Sequence, residues 1–334
     1  MRNILITGGC GFIGSNFINY ILKKYQDVYV INLDAMYYCA SEFNVDREIR
    51  ESDVYKNRYK LIKGNLCSYD LVNYIVNDYN IEYIIHFAAQ SHVQNSFEDA
   101  LQYTKDNIVG THNLLEVSRK YGKLKKFIHV STDEVYGESM IEKCENKKTE
   151  ESILCPTNPY AATKASAELI AQSYYHSFNI PIIITRGNNV YGPNQYPEKI
   201  IPRFIKLLKE NKKVTIQGDG SNVRAFIHVK DVVNAFDIIL EKGVVGEIYN
   251  IGSDDYEEYS VYQVAKILIK KIKKIDDEYG DDEGKCNYDD YIEYIEDRPF
   301  NDKRYYISNE KIKKLGWNIE ENFDKGIDEL IELE

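Results

Sequence analysis

Thr7-Gly8-Gly9-Cys10-Gly11-Phe12-Ile13-Gly14 sets three glycines at intervals of three, directly after an apolar strand and at the opening of a helix. In that context a glycine pattern binds a dinucleotide. Gly8 permits the tight turn, Gly11 lets the backbone approach a pyrophosphate, and Gly14 lets helix and strand meet closely, while the helix start, with Phe12 and Ile13, turns its amides toward the phosphates. Asp34 stands twenty residues beyond Gly14 at the end of the next strand. A carboxylate there accepts hydrogen bonds from the adenosine ribose and repels a 2′-phosphate. Neither Ala35 nor Met36 offers a cation to such a phosphate, so the expected cofactor is NAD. Asn65-Leu66 and Ala88-Ala89-Gln90 follow the third and fourth strands, at the carboxyl edge where such sheets bind ligand.

A second group carries acid-base chemistry. Tyr160 and Lys164 lie four apart at a helix start and share one face, and Thr132 ends the preceding strand. A phenol with a pKa of about 10 is a poor base at neutral pH, and a nearby ammonium together with a nicotinamide charge lowers it. Tyr160 then removes a hydroxyl proton as hydride leaves the same carbon. The arrangement resembles the Ser/Thr…Tyr-x-x-x-Lys set of short-chain dehydrogenases/reductases. Beside it, Ser131-Thr132-Asp133-Glu134-Val135-Tyr136-Gly137 places two acids at the strand end, which look like more than a solvated turn.

The elements that must position these groups are legible as alternating periodicities. Ile- and Val-rich runs over 3–7, 28–33, 59–63, 83–87, 126–131 and 180–185 read as buried parallel strands, and 12–25, 68–80, 105–121 and 160–178 as helices between them. The fold class is α/β, a Rossmann-type doubly wound parallel sheet, with a smaller α/β C-terminal lobe for substrate. The expected division is 1–186 for the NAD-binding domain and 187–334 mainly for the substrate lobe, with the chain free to cross back. An acidic stretch over 276–283 reads as a solvated loop.

The chain has 334 residues, 43% of them hydrophobic and 28% charged, enough to bury a sizeable core. No apolar run reaches membrane-spanning length, and the N-terminus enters a strand without a signal-peptide pattern, so no membrane association and a cytoplasmic location are expected. The net charge of −11 argues against nucleic acid as a partner. Six cysteines (Cys10, Cys39, Cys67, Cys144, Cys155, Cys286) and six histidines show no ligand spacing. Free thiols and no metal are expected.

The glycine loop, residues 86–96, the Ser131–Gly137 run, Asn158-Pro159-Tyr160-Ala161-Ala162-Thr163-Lys164 and Pro197-Glu198-Lys199 together resemble the nucleotide-sugar 4,6-dehydratases, nearly end to end. Epimerases of the same superfamily usually carry small or neutral residues after the Thr or Ser. The resemblance implies that Tyr160 takes the carbon 4 hydroxyl proton as hydride passes to NAD, and that Glu134 takes the carbon 5 proton. Asp133 then protonates the departing carbon 6 hydroxyl, and the hydride returns to carbon 6. Thr132 would bond the carbon 4 oxygen, and Lys164 the nicotinamide ribose. The two acids need opposite protonation states.

By the same resemblance Ser91, Asn189, Lys199, Arg224, Asn250 and Arg298 hold the nucleotide sugar, the two arginines suiting phosphate contacts. Residues 186–195, 218–224 and 298–302 look most like the dehydratase domain of plant UDP-rhamnose synthases, which implies UDP-glucose. Two positions depart from many relatives: Ala35 replaces Lys, and Asp106 replaces a bacterial Thr. The resemblance also implies a homodimer through helices 105–121 and 160–178. The competing readings are a dTDP-glucose 4,6-dehydratase, a nucleotide-sugar 4-epimerase and a non-catalytic NAD-binding scaffold.

Overall fold

The computed structural model describes residues 1–139, 147–254, 257–275, 288–297 and 300–333. Its strands are β1 (Arg2–Thr7), β2 (Val28–Asp34), β3 (Tyr59–Lys63), β4 (Tyr83–His86), β5 (Lys126–Thr132), β6 (Ile182–Gly187), β7 (Asn189–Tyr191), β8 (Val214–Gln217), β9 (Val223–His228), β10 (Ile248–Ile251), β11 (Glu258–Ser260) and β12 (Ile292–Ile295). The helices are α1 (Phe12–Lys24), α2 (Arg47–Glu51), α3 (Tyr69–Asp78), α4 (Val93–Glu98), α5 (Ala100–Tyr103), α6 (Gly110–Tyr121), α7 (Pro159–Phe178), α8 (Ile200–Lys209), α9 (Val229–Lys242), α10 (Val261–Lys273), α11 (Glu310–Lys313) and α12 (Phe323–Leu333).

Seven strands form one parallel sheet in the order β10-β6-β5-β4-β1-β2-β3. Burial on both faces explains why these strands read as apolar runs. Phe17, Ile18 and Ile21 of α1 meet Phe236, Ile239 and Leu240 of α9 on one face. Val72, Ile75, Leu114, Leu115 and Ala171 from α3, α6 and α7 fill the other. The chain order reverses between β1 and β4, and such sheets open a ligand crevice at the carboxyl ends on either side of that reversal.

Two small sheets, β11-β9-β7 and β12-β8, share a third core with α8, α10 and α12. The C-terminal half therefore does two jobs: β10 completes the large sheet beside β6, and α9 covers α1. The sixth strand starts at Ile182 rather than 180 and runs on to Gly187, because Pro181 cannot donate to a ladder. The helix expected over 105–121 is broken in character, with a π-type turn over Thr104–Val109 ahead of α6. The acidic stretch over 276–283 lies outside the described residues. Among those described, no helix is long and apolar enough to cross a membrane, and no group of His, Cys, Asp and Glu is placed to hold a metal.

Candidate active site

A long cleft runs along the carboxyl ends of β1, β2, β4, β5 and β6. At one end lies the glycine turn. Gly8 has φ +72°, and a Cβ there would stand 2.7 Å from Ala88 N, while a Cβ on Gly14 would stand 2.8 Å from Gly9 Cα. Both positions are closed to any side chain. The start of α1 has no side-chain cap and no acid in its first turn, leaving its amides open to an anion. Gly11, Phe12 and Ile13 line the cleft at that point.

Asp34 is buried at the end of β2. Its Oδ2 accepts from Cys10 N at 2.9 Å and its Oδ1 from Met36 N at 2.8 Å, so the carboxylate is locked in place with one lone pair per oxygen still available to ribose hydroxyls. Asn65, Leu66, Ala88, Ala89 and Gln90 line the same wall. Tyr37 and Asp106 join them: Tyr37 Oη donates to Asp106 Oδ1 at 3.2 Å, and Gln90 Nε2 donates to Asp106 Oδ2 at 2.9 Å. A second carboxylate at this wall adds to the repulsion of a 2′-phosphate. These residues fit NAD, with its adenosine ribose on Asp34 and its pyrophosphate on the glycine turn.

At the other end of the cleft Thr132, Asp133, Glu134, Tyr160 and Lys164 come together. Thr132 ends β5 and caps the following turn by accepting from Glu134 N at 3.3 Å. Asn158 caps α7, its Oδ1 accepting from Ala161 N at 2.8 Å, and Pro159 occupies the first helical position. That start aims Tyr160 and Lys164 at the strand end. Lys164 Nζ donates to Val130 O at 2.6 Å, and burial lowers its pKa to about 8.

The expected lowering of the Tyr160 phenol does not appear in the chain alone. Burial, then the charges of Glu134 and Asp133, push it above its ordinary range, and a hydrogen bond with Thr132 only partly opposes them. Asp133 is raised to about 7, by burial and then by repulsion from Glu134. Glu134 is raised by burial, opposed by its bond from Asn158 and by the charges of Arg224 and Lys199. Burial and the neighbouring carboxylate both favour the protonated form of Asp133, the state an acid beside a base requires.

The geometry has parallels among known proteins. The family model described as GDP-mannose 4,6 dehydratase matches residues 5–330. The chain belongs to this family. A trifunctional UDP-glucose 4,6-dehydratase/3,5-epimerase/reductase of Arabidopsis thaliana is 44% identical over 98% of the chain, which covers 46% of that protein. The chain thus spans about half the length of the plant relatives it matches. A dTDP-D-glucose 4,6-dehydratase of Dictyostelium discoideum is also 44% identical, over 98% of the chain and 80% of its own length. The crystal structure of a Bacillus anthracis dTDP-glucose 4,6-dehydratase in complex with NAD superposes with a TM-score of 0.86 at 37% identity, covering 99% of this chain and 96% of that one.

Against that family frame, Ser91, Asn189 and Lys199 line the cleft, with Lys199 Nζ donating to Ser91 O at 3.2 Å. Arg224 packs its guanidinium over the Tyr305 ring and donates to Asn301 Oδ1 at 3.2 Å; its charge reaches both acids. Asn250 is a correction. It is fully buried, accepts from Tyr136 Oη at 2.8 Å and donates to Lys148 O at 3.3 Å, so its side chain joins β10 to its surroundings and does not enter the cleft. Arg298, together with Cys144 and Cys286, lies outside the described residues; Cys10, Cys39, Cys67 and Cys155 are free thiols.

Sequence reasoning missed five groups around the acids. Asn188 Nδ2 donates to Asp133 Oδ2 at 2.5 Å, and Asn158 Nδ2 to Glu134 Oε2 at 3.1 Å. The Tyr305 hydroxyl donates to Asp302 and stands 3.4 Å from Glu134 Oε2, and Thr157 Oγ1 donates to Asp302 Oδ1 at 2.7 Å. Single amides and hydroxyls from distant segments carry no spacing signal. Only the Asn-Pro pair, an N-cap followed by a first-turn proline, marked Asn158 as placed.

Proposed function

We propose that this chain is an NAD-dependent nucleotide-sugar 4,6-dehydratase acting on UDP-glucose, a hydro-lyase yielding the 4-keto-6-deoxy sugar. The observation that carries the reading is the pair Asp133 and Glu134 beside Tyr160 at one end of the cleft. An epimerase needs the Tyr160 and Lys164 chemistry but has no use for two acids beside it.

Bound NAD supplies a hydride acceptor at carbon 4 and a hydride donor at carbon 6. Asp34, the glycine turn at Gly8–Gly14 and the wall from Asn65 to Gln90 hold it; Lys164 would reach its nicotinamide ribose. Tyr160, oriented by Thr132, receives the carbon 4 hydroxyl proton, and its raised affinity for protons makes it depend on the nearby positive charge of Lys164 and of the oxidised cofactor. Once carbon 4 is a ketone the carbon 5 hydrogen is acidic, and Glu134 takes it. Asp133 delivers its proton to the carbon 6 oxygen, which departs as water. Ser91, Asn189 and Lys199 would hold the nucleotide sugar from the cleft wall, with the charge of Arg224 beside the acids; for Arg298 the family resemblance implies a phosphate contact.

UDP-glucose is favoured over dTDP-glucose by residues 186–195 and 218–224, which look most like the plant dehydratase domains. The two nucleotides differ by a methyl and a hydroxyl, and a pocket separates a single methyl by only about 1–3 kcal/mol, so activity on both is compatible with this reading. The protein is read as a homodimer through α6 and α7; Leu169 and Phe178 of α7, Val109 of the turn before α6 and Leu101 of α5 are exposed.

The test is incubation of the purified chain with NAD and either sugar nucleotide, following the carbon 6 methyl signal by NMR. A methyl doublet with no net cofactor reduction is expected. Inversion at carbon 4 without a methyl would establish an epimerase instead, and consumption of neither glucose nucleotide would remove glucose as the substrate.

A further inference from the structure

Each of the two acids is met by the amide of an asparagine whose orientation is itself fixed. Asn188 Oδ1 accepts from Ser253 N at 3.1 Å, so its other end must be the NH₂ group, and that group donates to Asp133 Oδ2. Asn158 Oδ1 is committed to the α7 cap on Ala161 N, so its NH₂ group is turned to Glu134 Oε2. Neither amide can rotate by half a turn without setting its carbonyl oxygen against a carboxyl oxygen and its NH₂ against a backbone N–H. Both asparagines are buried, at 7% and 5% exposure.

An oxygen that accepts from a fixed N–H is the less basic of the two, because that bond already stabilises its negative charge. On Asp133 the proton therefore favours Oδ1, which faces the Thr132 hydroxyl at 3.2 Å; that hydroxyl can turn and accept. On Glu134 the Asn158 bond occupies Oε2, and among the described residues no hydrogen bond is made to Oε1, which is left to receive a proton. We propose that Asn188 and Asn158 are positioning residues that set which oxygen of each acid reacts, Asp133 Oδ1 giving its proton to the sugar and Glu134 Oε1 taking one.

The inference rests on the dehydratase reading and specifies its elimination step. The carbon 5 hydrogen leaves as a proton to Glu134 Oε1, and its electron pair forms the carbon 5–carbon 6 double bond. The carbon 6–oxygen bond breaks, and the Oδ1 proton of Asp133 joins that oxygen to release water. Asp133 ends ionised with Asn188 still bonded to Oδ2, and Glu134 ends protonated. Apart from the amides, Asp133 is faced by Thr132, Glu134, Tyr160 and Arg224, and Glu134 by Arg224, Lys199, Asp302, Tyr305 and Tyr160. Arg224 is common to both and favours ionisation of both. The asparagines act on one acid each.

That separation gives the test. Asn188→Asp and Asn158→Asp each keep the oxygen that accepts from a backbone N–H and replace the NH₂ donor with a second carboxyl oxygen, whose charge adds to the effect of the lost donor. The pH dependence of turnover is measured on the full chain with NAD and UDP-glucose, beside the wild type, with thermal melting to verify folding. Losing its donor raises each acid's proton affinity. Asn188→Asp is expected to move the alkaline limb up by about one pH unit, until Lys164 takes it over, and Asn158→Asp to move the acid limb up by a similar amount. One bell widens and the other narrows, which a loss of folding does not produce. If Asn188→Asp fails to fold, Asn188→Ala serves, with the same direction expected. Variants that lower the rate with both limbs unmoved, or that move the same limb, overturn the inference while the dehydratase reading stands. A wild type that forms no carbon 6 methyl overturns the reading itself.

Discussion

Glu134→Gln keeps the size and the Asn158 contact of the side chain but removes its ability to take a proton. The expected outcome is retained cofactor binding and retained oxidation at carbon 4, with elimination slowed about 10²–10⁴-fold. Reduced cofactor should accumulate in a single turnover, visible by its absorbance; an unimpaired variant would take Glu134 out of the reaction. Asp133 supplies a pH dependence whose sign follows from its raised pKa. The acid works protonated, so activity should fall as pH rises through about 7. The same shift has a cost to the fold. A carboxyl whose folded pKa is raised contributes stability below its unfolded value, about 3.9, and loses it as pH rises through the folded one. Asp133→Asn should therefore gain melting temperature over the wild type at pH 8, with the gain absent at pH 4. The five candidate catalytic residues were readable because they cluster in two short stretches with known helix and strand-end spacing. Asn188, Tyr305 and Asp302 were not, since each is brought in by the tertiary fold; Asn250 was misplaced because a position carried by resemblance says nothing about which way its side chain is already committed.

Among the elements, α7 carries both Tyr160 and Lys164, and a buried ion pair ties it to β6. Arg186 bonds Glu168 through Nε at 3.1 Å and donates to Tyr136 Oη at 2.7 Å, with both charged side chains almost wholly enclosed. Removing one partner strands the other charge, at a cost of about 3–5 kcal/mol. Glu168→Ala should lower the urea midpoint accordingly, and an unchanged midpoint would mean that water reaches Arg186. Gly14→Ala is expected to abolish cofactor binding, since the new Cβ meets the backbone of Gly8 and Gly9; undiminished binding by calorimetry would contradict that placement. Six strands of the large sheet were legible to within two residues from their apolar runs. The seventh, Ile248–Ile251, was not, because four residues with alternating polar members look like any loop until β6 lies beside them. The π-type turn at Thr104–Val109 was equally hidden, as its side-chain pattern is that of an ordinary helix.

At the scale of the whole molecule, the return of β10 and α9 to the large sheet makes the N-terminal portion dependent on the rest. A fragment of residues 1–186 leaves the edge of β6 unpaired and the α1 side of the core without Phe236, Ile239 and Leu240. Expressed alone, it should show no cooperative unfolding transition; a sharp one would mean the two portions fold separately. The exposed residues on α7 allow a parallel test of assembly. Sedimentation should give a dimer for the wild type and a monomer for Leu169→Glu, and a dimer for both would locate the interface elsewhere.

One link spans the cleft. Tyr38, in the loop that follows Asp34, donates to Glu198 at 2.8 Å and sets its ring edge-on to Tyr196, so the cofactor-side loop is fastened to the sugar-side loop. In the proposed reaction the cofactor ends each cycle as it began, and the chemistry does not call for its release. Tyr38 and Glu198 stand in different halves of the chain, so a cofactor held as proposed could leave past them only if that link parts.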